Sequence, residues 1–239
     1  MELTKSKPMI TTWGSTEAGD PVFDKSWLEK LQDINLIITK NLSDDLIEKL
    51  VKYKDKMVLH LTVTGLGGSF IEPGVPKATF NARQLKILFD LGFPVNQAVL
   101  RIDPMISVEV AKHVLDAFES SGVKRCRFSF LNLTNYTDNE LSDKHIQKMH
   151  EEAEELINYS KSKGFDYSFE SCAGIWLKDL DVKLIGCMSK IEAERVLKKE
   201  VVFETGKRNR NFCLAPGNRV ELLENKICKH NCIYCFHSI

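Results

Sequence analysis

Three cysteines near the end of the sequence have a spacing suited to metal binding. Cys228, Cys232 and Cys235 lie in the segment CKHNCIYC, with the spacing CxxxCxxC and an aromatic residue directly before the third cysteine. Three thiolates on one short loop can hold three irons of a [4Fe-4S] cluster, which leaves the fourth iron open to a ligand from outside the protein. The spacing therefore predicts an iron–sulfur cluster in this segment, residues 228–235, which we name the cluster loop.

An open iron has a specific chemical use. S-adenosylmethionine can chelate such an iron through its amino and carboxylate groups, which places its sulfonium beside the cluster for reductive cleavage to a 5′-deoxyadenosyl radical. The protein then supplies positioning, electrostatics and exclusion of side reactions. The cluster loop therefore points to a radical enzyme.

A structural zinc is the alternative metal. Zinc is usually held by four protein ligands, and the candidates for the fourth are Cys187, Cys213, His230 and His237. Iron–sulfur is favoured over zinc because the spacing fits a cluster loop and no fourth cysteine stands nearby.

Composition describes an ordinary globular protein. The 239 residues are 43% hydrophobic and 28% charged, and 33 Lys and Arg balance 33 Asp and Glu. A neutral chain lacks the basic field of a general nucleic-acid coat protein. The first ten residues have no apolar signal core, and no apolar run approaches the roughly 18 residues that span a bilayer. We expect a cytoplasmic protein with no membrane contact.

The elements that must position the cysteines follow an alternating βα pattern, which is typical of a parallel sheet. The predicted strands are residues 9–12, 35–39, 57–64, 96–102, 126–131, 166–171 and 219–223. The predicted helices are residues 25–31, 44–53, 81–91, 108–120, 140–162 and 190–199. The fold class expected is α/β, a single-domain TIM-like partial (βα) barrel over residues 1–239, with βα repeats in 1–171 and a cysteine-rich closing segment in 172–239.

Polar residues follow the predicted strands where a barrel binds its ligands, at the carboxyl ends. Taken one by one, each could equally be a structural residue, but their shared position predicts a site. The set is Lys40, Thr62, Thr64, Arg101, Asp103, Ser129 and Glu170. Two dipeptides, Glu72-Pro73 and Asp103-Pro104, are interpreted as turns, since the residue before proline is held extended.

The sequence resembles the radical S-adenosylmethionine superfamily, and more closely the bacterial domain-of-unknown-function family 1848, whose cysteine loop closes the chain. The resemblance rests on an ordered series of segments along nearly the whole length: ITTWGSTEAGDPVF, ITKN, LTVTGLGGSFIEP, LRIDP, RFSFLNL, SCAG, RNFC and CKHNCIYCFH. The stretch from ITKN to RIDP is also similar to the barrel of spore photoproduct lyase-type enzymes. One departure from the superfamily is that the cluster loop follows the last strand instead of the first.

The resemblance implies roles for several residues. S-adenosylmethionine would be bound by residues at the barrel mouth, namely Lys40, Thr62, Thr64, Arg101 and Ser129. Three further cysteines occupy positions that look like cysteine positions of the family, and they are expected to hold a second iron–sulfur cluster or a zinc: Cys172, Cys187 and Cys213. The remaining one, Cys126, is expected in the core.

The function that the sequence predicts is reductive cleavage of S-adenosylmethionine followed by hydrogen abstraction from a small-molecule substrate. Similarity to spore photoproduct lyase makes a nucleotide or nucleobase the substrate hypothesis. An electron donor such as flavodoxin or ferredoxin is the expected protein partner. The alternative is a non-catalytic barrel that a zinc or iron–sulfur site stabilises and that binds a ligand or nucleic acid.

Overall fold

The computed structural model describes residues 11–130, 142–172, 175–202 and 219–235. In these ranges the strands form one parallel sheet in the order β7-β6-β5-β4-β3-β2-β1-β8. The strands are β1 Trp13–Ser15, β2 Ile34–Thr39, β3 Met57–Thr62, β4 Ala98–Met105, β5 Arg125–Phe130, β6 Ser168–Ser171, β7 Lys183–Leu184 and β8 Val220–Glu221.

The helices follow the strands in the βα order that the periodicity predicts. They are α1 Asp44–Lys52, α2 Ala78–Asp90, α3 Val108–Phe118, α4 Asp143–Ser162 and α5 Lys190–Leu197. Ser43, Ser107, Ser142 and Ser189 each cap the helix that follows, because their side chains accept a backbone hydrogen bond from its first turn. Gly122 follows α3 and its 3₁₀ extension with a φ of +89°, a left-handed conformation that favours glycine.

Both faces of the sheet are covered. Leu59, Leu100 and Phe128 belong to the larger core, together with buried residues of α1 to α4. Ile34, Leu36 and Val58 point to the opposite face of the sheet and pack with residues of α5 in a second core on the inner face. Burial on both faces explains the nearly continuous apolar runs of β2 and β3.

The architecture confirms the fold class. The sheet is α/β and parallel, and within the described ranges its edge strands β7 and β8 do not pair with each other. It is therefore an open, partial (βα) barrel, and the cluster loop comes directly after the edge strand β8. No helix in the part of the chain that the structure describes has the length and apolar character needed to cross a membrane.

Some sequence boundaries are wrong. Residues 9 and 10 of the first predicted strand lie outside the described residues. Residues 11 and 12 precede the strand, which is Trp13–Ser15, and the backbone and hydroxyl of Thr12 hydrogen-bond to Asp33 instead. Residues 25–31 hold only a 3₁₀ turn, Ser26–Glu29, because the Asp24 side chain accepts the Ser26 N–H. Asp103-Pro104 is not a turn: it lies within β4, has a cis peptide bond and coincides with a register shift against β5.

Candidate functional site

Backbone hydrogen bonds fasten the cluster loop to the loop between β3 and α2, residues 65–77. The Gly74 N–H donates to the His230 carbonyl at 3.0 Å, and the Ile233 N–H donates to the Ile71 carbonyl at 3.1 Å. The approach requires glycine, because a Cβ at Gly74 would lie 2.7 Å from the Lys229 carbonyl oxygen. The predicted cysteine segment is thus docked beside the carboxyl end of β3.

His230 is a structural residue of this loop. Its Nε2 lies 2.9 Å from Asp20 Oδ2, and its Nδ1 lies 2.9 Å from the Gly74 carbonyl oxygen. Both side chains of the His230–Asp20 pair are buried. Since both ring nitrogens are used, His230 is not free to serve as the fourth zinc ligand considered from the sequence.

A buried carboxylate, Glu72, joins the cluster loop to the ends of β2 and β3. Its Oε1 accepts from Lys40 Nζ at 2.7 Å and from the Tyr234 hydroxyl, while its Oε2 accepts from Thr64 Oγ1 at 2.6 Å. Lys40 Nζ also donates to the Tyr234 hydroxyl at 2.8 Å. The structure therefore brings together two predicted site residues, Lys40 and Thr64, through two that the sequence reasoning missed.

Electrostatics keep Glu72 ionised. Burial alone raises the pKa of its carboxyl, but the Lys40 charge and the three hydrogen bonds outweigh burial, so the pKa lies below its usual value. Burial and the neighbouring Glu72 charge raise the pKa of Tyr234, which keeps its hydroxyl a donor. The signal in the sequence is a single carboxylate in a glycine-rich loop after a strand. The turn predicted at Glu72-Pro73 is present, since the Val75 N–H donates to the Glu72 carbonyl, but the turn pattern does not predict the role of the Glu72 side chain.

The three thiols of the cluster loop differ in exposure. Cys232 is buried, whereas Cys228 and Cys235 are half-buried. Burial raises the pKa of Cys228, and it raises that of Cys232 to about 11. Across the described residues, no group of three or more His, Cys, Asp and Glu side chains already surrounds one metal position. To bind a metal, these thiols would have to release their protons.

A second group of predicted residues lies on the inner face of β3 to β5. Thr62 pairs in register with Arg101, which forms an ion pair with Asp103, and Ser129 Oγ donates to the same carboxylate. Thr62 Oγ1 is buried and has no hydrogen-bond partner in the described part of the protein. Burial raises the pKa of Asp103, but the Arg101 charge, the Ser129 hydrogen bond and the Lys40 charge outweigh burial, so the pKa lies below its usual value.

Glu170 belongs to a different arrangement. Burial raises the pKa of its carboxyl, but the hydrogen bonds from Arg125 and the Arg127 charge outweigh burial and lower it below its usual value. Its two oxygens lie 2.7 and 3.0 Å from Nε and Nη2 of Arg125, and Arg125 Nη2 also donates to Glu192 of α5 at 2.6 Å. Glu170 is a member of a buried ion network that ties α5 to β5 and β6.

Two of the three scattered cysteines meet inside the barrel. Cys172 packs against the second core, which contains Cys187. Interaction with the Cys172 thiol and the charges of Arg101 and Arg127 outweigh burial and lower the pKa of Cys187. Cys213 lies outside the described residues. Cys126 is fully buried in β5, which confirms the expectation that it belongs to the core.

Comparison with known families shows the family to which this chain belongs. The sequence model of the family described as a domain of unknown function, DUF1848, matches residues 23–237. The chain belongs to this family. The match runs from before β2 through the cluster loop, so it includes Lys40, Glu72 and all three closing cysteines.

Among solved structures, this DUF1848 chain is similar to SuiB of Streptococcus suis. The structure of SuiB bound to S-adenosylmethionine aligns with a TM-score of 0.44 and 15% identity over 61% of this chain and 34% of SuiB. The structure bound to the precursor peptide SuiA gives a TM-score of 0.43 and 15% identity over 59% and 32%. The chain thus spans about a third of the length of SuiB. No curated protein matches it.

Proposed function

We propose that this DUF1848 protein is a radical S-adenosylmethionine enzyme whose cluster is held by Cys228, Cys232 and Cys235. The observation that carries the proposal is the attachment of the cluster loop at the mouth of a parallel sheet, where barrel enzymes bind their ligands. Tyr234, which lies between two of the cysteines, contacts Lys40 and Glu72 directly. The cysteine segment and the predicted cofactor residues therefore form one structural unit.

The donor set fits an iron–sulfur cluster better than a closed zinc site. Three thiols lie on one eight-residue loop, and the imidazole within that loop, His230, is used in structural hydrogen bonds. Three protein ligands leave one iron open, as cofactor chelation requires. When bound, the reduced cluster and S-adenosylmethionine would supply a 5′-deoxyadenosyl radical for hydrogen abstraction from the substrate.

The residues of the chain would bind and orient the cofactor. Lys40 and Arg101 are the cations at the mouth, where they suit the cofactor's carboxylate. Glu72 and Asp103 hold these two cations in place through the ion pairs already formed. Thr62 has a buried hydroxyl with no hydrogen-bond partner among the described residues, so it could bind the cofactor. Thr64 and Ser129 are the remaining residues of the proposed cofactor site.

We also propose a class of substrate and a source of electrons. A small polar molecule, with a nucleotide or nucleobase as the first hypothesis, would bind in the barrel mouth. Reduction of the cluster would come from a protein such as flavodoxin or ferredoxin. We further propose that Cys172 and Cys187, with Cys213, hold a second metal, supported by the packing of the first two in the same core cluster.

The proposal is tested by metal analysis after anaerobic purification. We expect about four iron atoms and four sulfides bound at the cluster loop of each chain, and broad visible absorption. Cys228→Ala, Cys232→Ala and Cys235→Ala should each lose this iron, whereas Cys126→Ala, a matched change in the core, should keep it. Zinc in place of iron, or full iron retention in all three variants, would refute the assignment and favour the structural-metal alternative.

A further inference from the structure

The surface around the cluster loop carries the most exposed apolar side chains of the described residues. Phe70 is 81% exposed and Ile233 is 67% exposed, more than any other large hydrophobic residue described. The two residues lie on segments that are hydrogen-bonded to each other, since the Ile233 N–H bonds to the carbonyl of Ile71, which follows Phe70 in the chain. Exposed apolar groups that cluster in this way mark an interaction site.

The two segments that form this surface carry an excess of exposed cations, although the whole chain has no net charge. Residues 65–83 and 225–235 carry the exposed cations Lys77, Arg83, Lys226 and Lys229. The only acidic residue in these two segments is Glu72, which is buried and bonded to Lys40. A shallow depression lined by Pro76, Lys77, Thr79, Phe80 and Arg83 extends the surface onto α2.

We propose that this apolar and basic patch, formed by Phe70, Ile233, Lys77, Arg83 and Lys229, docks an acidic one-electron carrier protein. The inference rests on the proposed function. Ile233 lies between Cys232 and Cys235 in the sequence. A partner that binds over Ile233 would therefore lie close to two of the cluster cysteines. Complementary charge would steer the encounter, and the apolar centre would hold the complex.

A protein partner fits this patch better than a nucleic acid. A nucleic-acid surface relies on several phosphate contacts by cations, and here the centre is aliphatic and aromatic while the cations lie around it. A transient carrier complex needs only a small interface. In the transfer, the reduced carrier loses one electron and the oxidised cluster gains one, so no further reactant is needed.

The test measures binding and electron delivery separately. Binding of oxidised flavodoxin, an acidic carrier, is measured with the anaerobically purified protein, so this readout does not depend on turnover. We expect Phe70→Ser and the double variant Lys77→Glu/Arg83→Glu each to raise the dissociation constant roughly tenfold or more, and added salt to weaken binding by the wild type. Ile191→Ser, which alters a 60% exposed residue on α5, is the matched control and should bind normally.

Cleavage of S-adenosylmethionine separates this inference from the proposed function. With dithionite as a small reductant the two patch variants should cleave the cofactor at the wild-type rate, and with reduced flavodoxin they should be roughly tenfold slower or worse. Equal flavodoxin binding by wild type and variants, or no binding by the wild type, would overturn the docking surface. Binding of a single-stranded RNA that the variants lose, without an effect on flavodoxin, would overturn it also. Failure of dithionite to drive cleavage in the wild type would instead count against the proposed function.

Discussion

Asp20 and His230, which are 210 positions apart, form a buried pair with 2.9 Å between Oδ2 and Nε2. The same carboxylate accepts hydrogen bonds from Thr39 Oγ1 and the Lys40 N–H at the end of β2. His230 lies inside the cluster loop, so Asp20 ties the cysteine segment to the strand that carries Lys40. The position of the thiols therefore depends on contacts made by residues that bind no metal.

Breaking this pair should loosen the cluster loop. His230→Ala leaves a buried carboxylate short of one partner, which typically costs about 1–3 kcal/mol. We expect the free energy of unfolding to fall by that amount and a chelator to remove iron faster than from the wild type. His113→Ala, at an exposed position of α3, is the control for losing an imidazole. Wild-type stability and wild-type iron release in His230→Ala would contradict this role.

Neutralising the cations at the mouth should weaken cofactor binding without removing iron. A hydrogen bond to a charged group is worth about 1.5–3 kcal/mol, so we expect Lys40→Met and Arg101→Met each to raise the Kd for S-adenosylmethionine tenfold or more. Isothermal titration and iron analysis measure the two effects. In Lys40→Met, the Glu72 carboxylate loses the cation that pairs with it. The double variant Lys40→Met/Glu72→Gln removes this unpaired charge and should still bind the cofactor as weakly as Lys40→Met, because the lost cation causes the weakening. Unchanged affinity in both single variants would show that the mouth residues were assigned wrongly.

The Arg125–Glu170–Arg127 network should be a structural element that is sensitive to acid. Glu170→Gln leaves two buried guanidinium groups undercompensated, a change that costs about 3–5 kcal/mol. Because the pKa of Glu170 lies below its ordinary value of 4.5, the carboxylate stabilises the fold above about pH 4.5 and loses this effect as pH falls through its folded-state pKa. Unfolding free energy should therefore fall less between about pH 6 and pH 3 in Glu170→Gln than in the wild type.

An exposed ion pair provides the control for that experiment. Lys86 and Asp90 pair on the surface of α2, and Asp90→Asn should change the free energy of unfolding by less than about 1 kcal/mol. A Glu170→Gln variant that is no less stable than Asp90→Asn would contradict the structural role of the network.

The second metal site can be counted directly. In Cys228→Ala/Cys232→Ala/Cys235→Ala, any metal that remains after anaerobic reconstitution must be held elsewhere, and we expect one second site to remain. Adding Cys187→Ala should remove that metal and lower stability together, because a structural metal contributes to the folding free energy. If the triple variant binds no metal, there is no second site.

Local patterns were sufficient for the strands that lie in the centre of the sheet. The apolar runs predicted strands at 35–39 and 57–64, and the structure has Ile34–Thr39 and Met57–Thr62. The two-residue strand β7 was missed, because so short a segment becomes a strand only through pairing with β6. The spacing of the three cysteines predicts the cluster loop, and the structure places that loop beside the carboxyl end of β3.

Sequence patterns do not predict the contacts between residues that are far apart in the chain. Glu72 has the appearance of a turn residue in its own segment, and only the approach of Lys40 and Tyr234 makes it a buried partner of both. His230 has the spacing of a metal ligand, yet Asp20 and Gly74 occupy its two nitrogens. Cys172 and Cys187 meet only because the chain returns to the inner face of the barrel.

The most direct test of the central claim is the amount of 5′-deoxyadenosine formed from S-adenosylmethionine by the anaerobically reconstituted protein with dithionite. The account predicts that the wild type forms it and that Cys232→Ala, with the same cofactor and reductant, does not. A fully metal-loaded wild type that forms no 5′-deoxyadenosine, or a Cys232→Ala variant that forms as much as the wild type, would contradict the account.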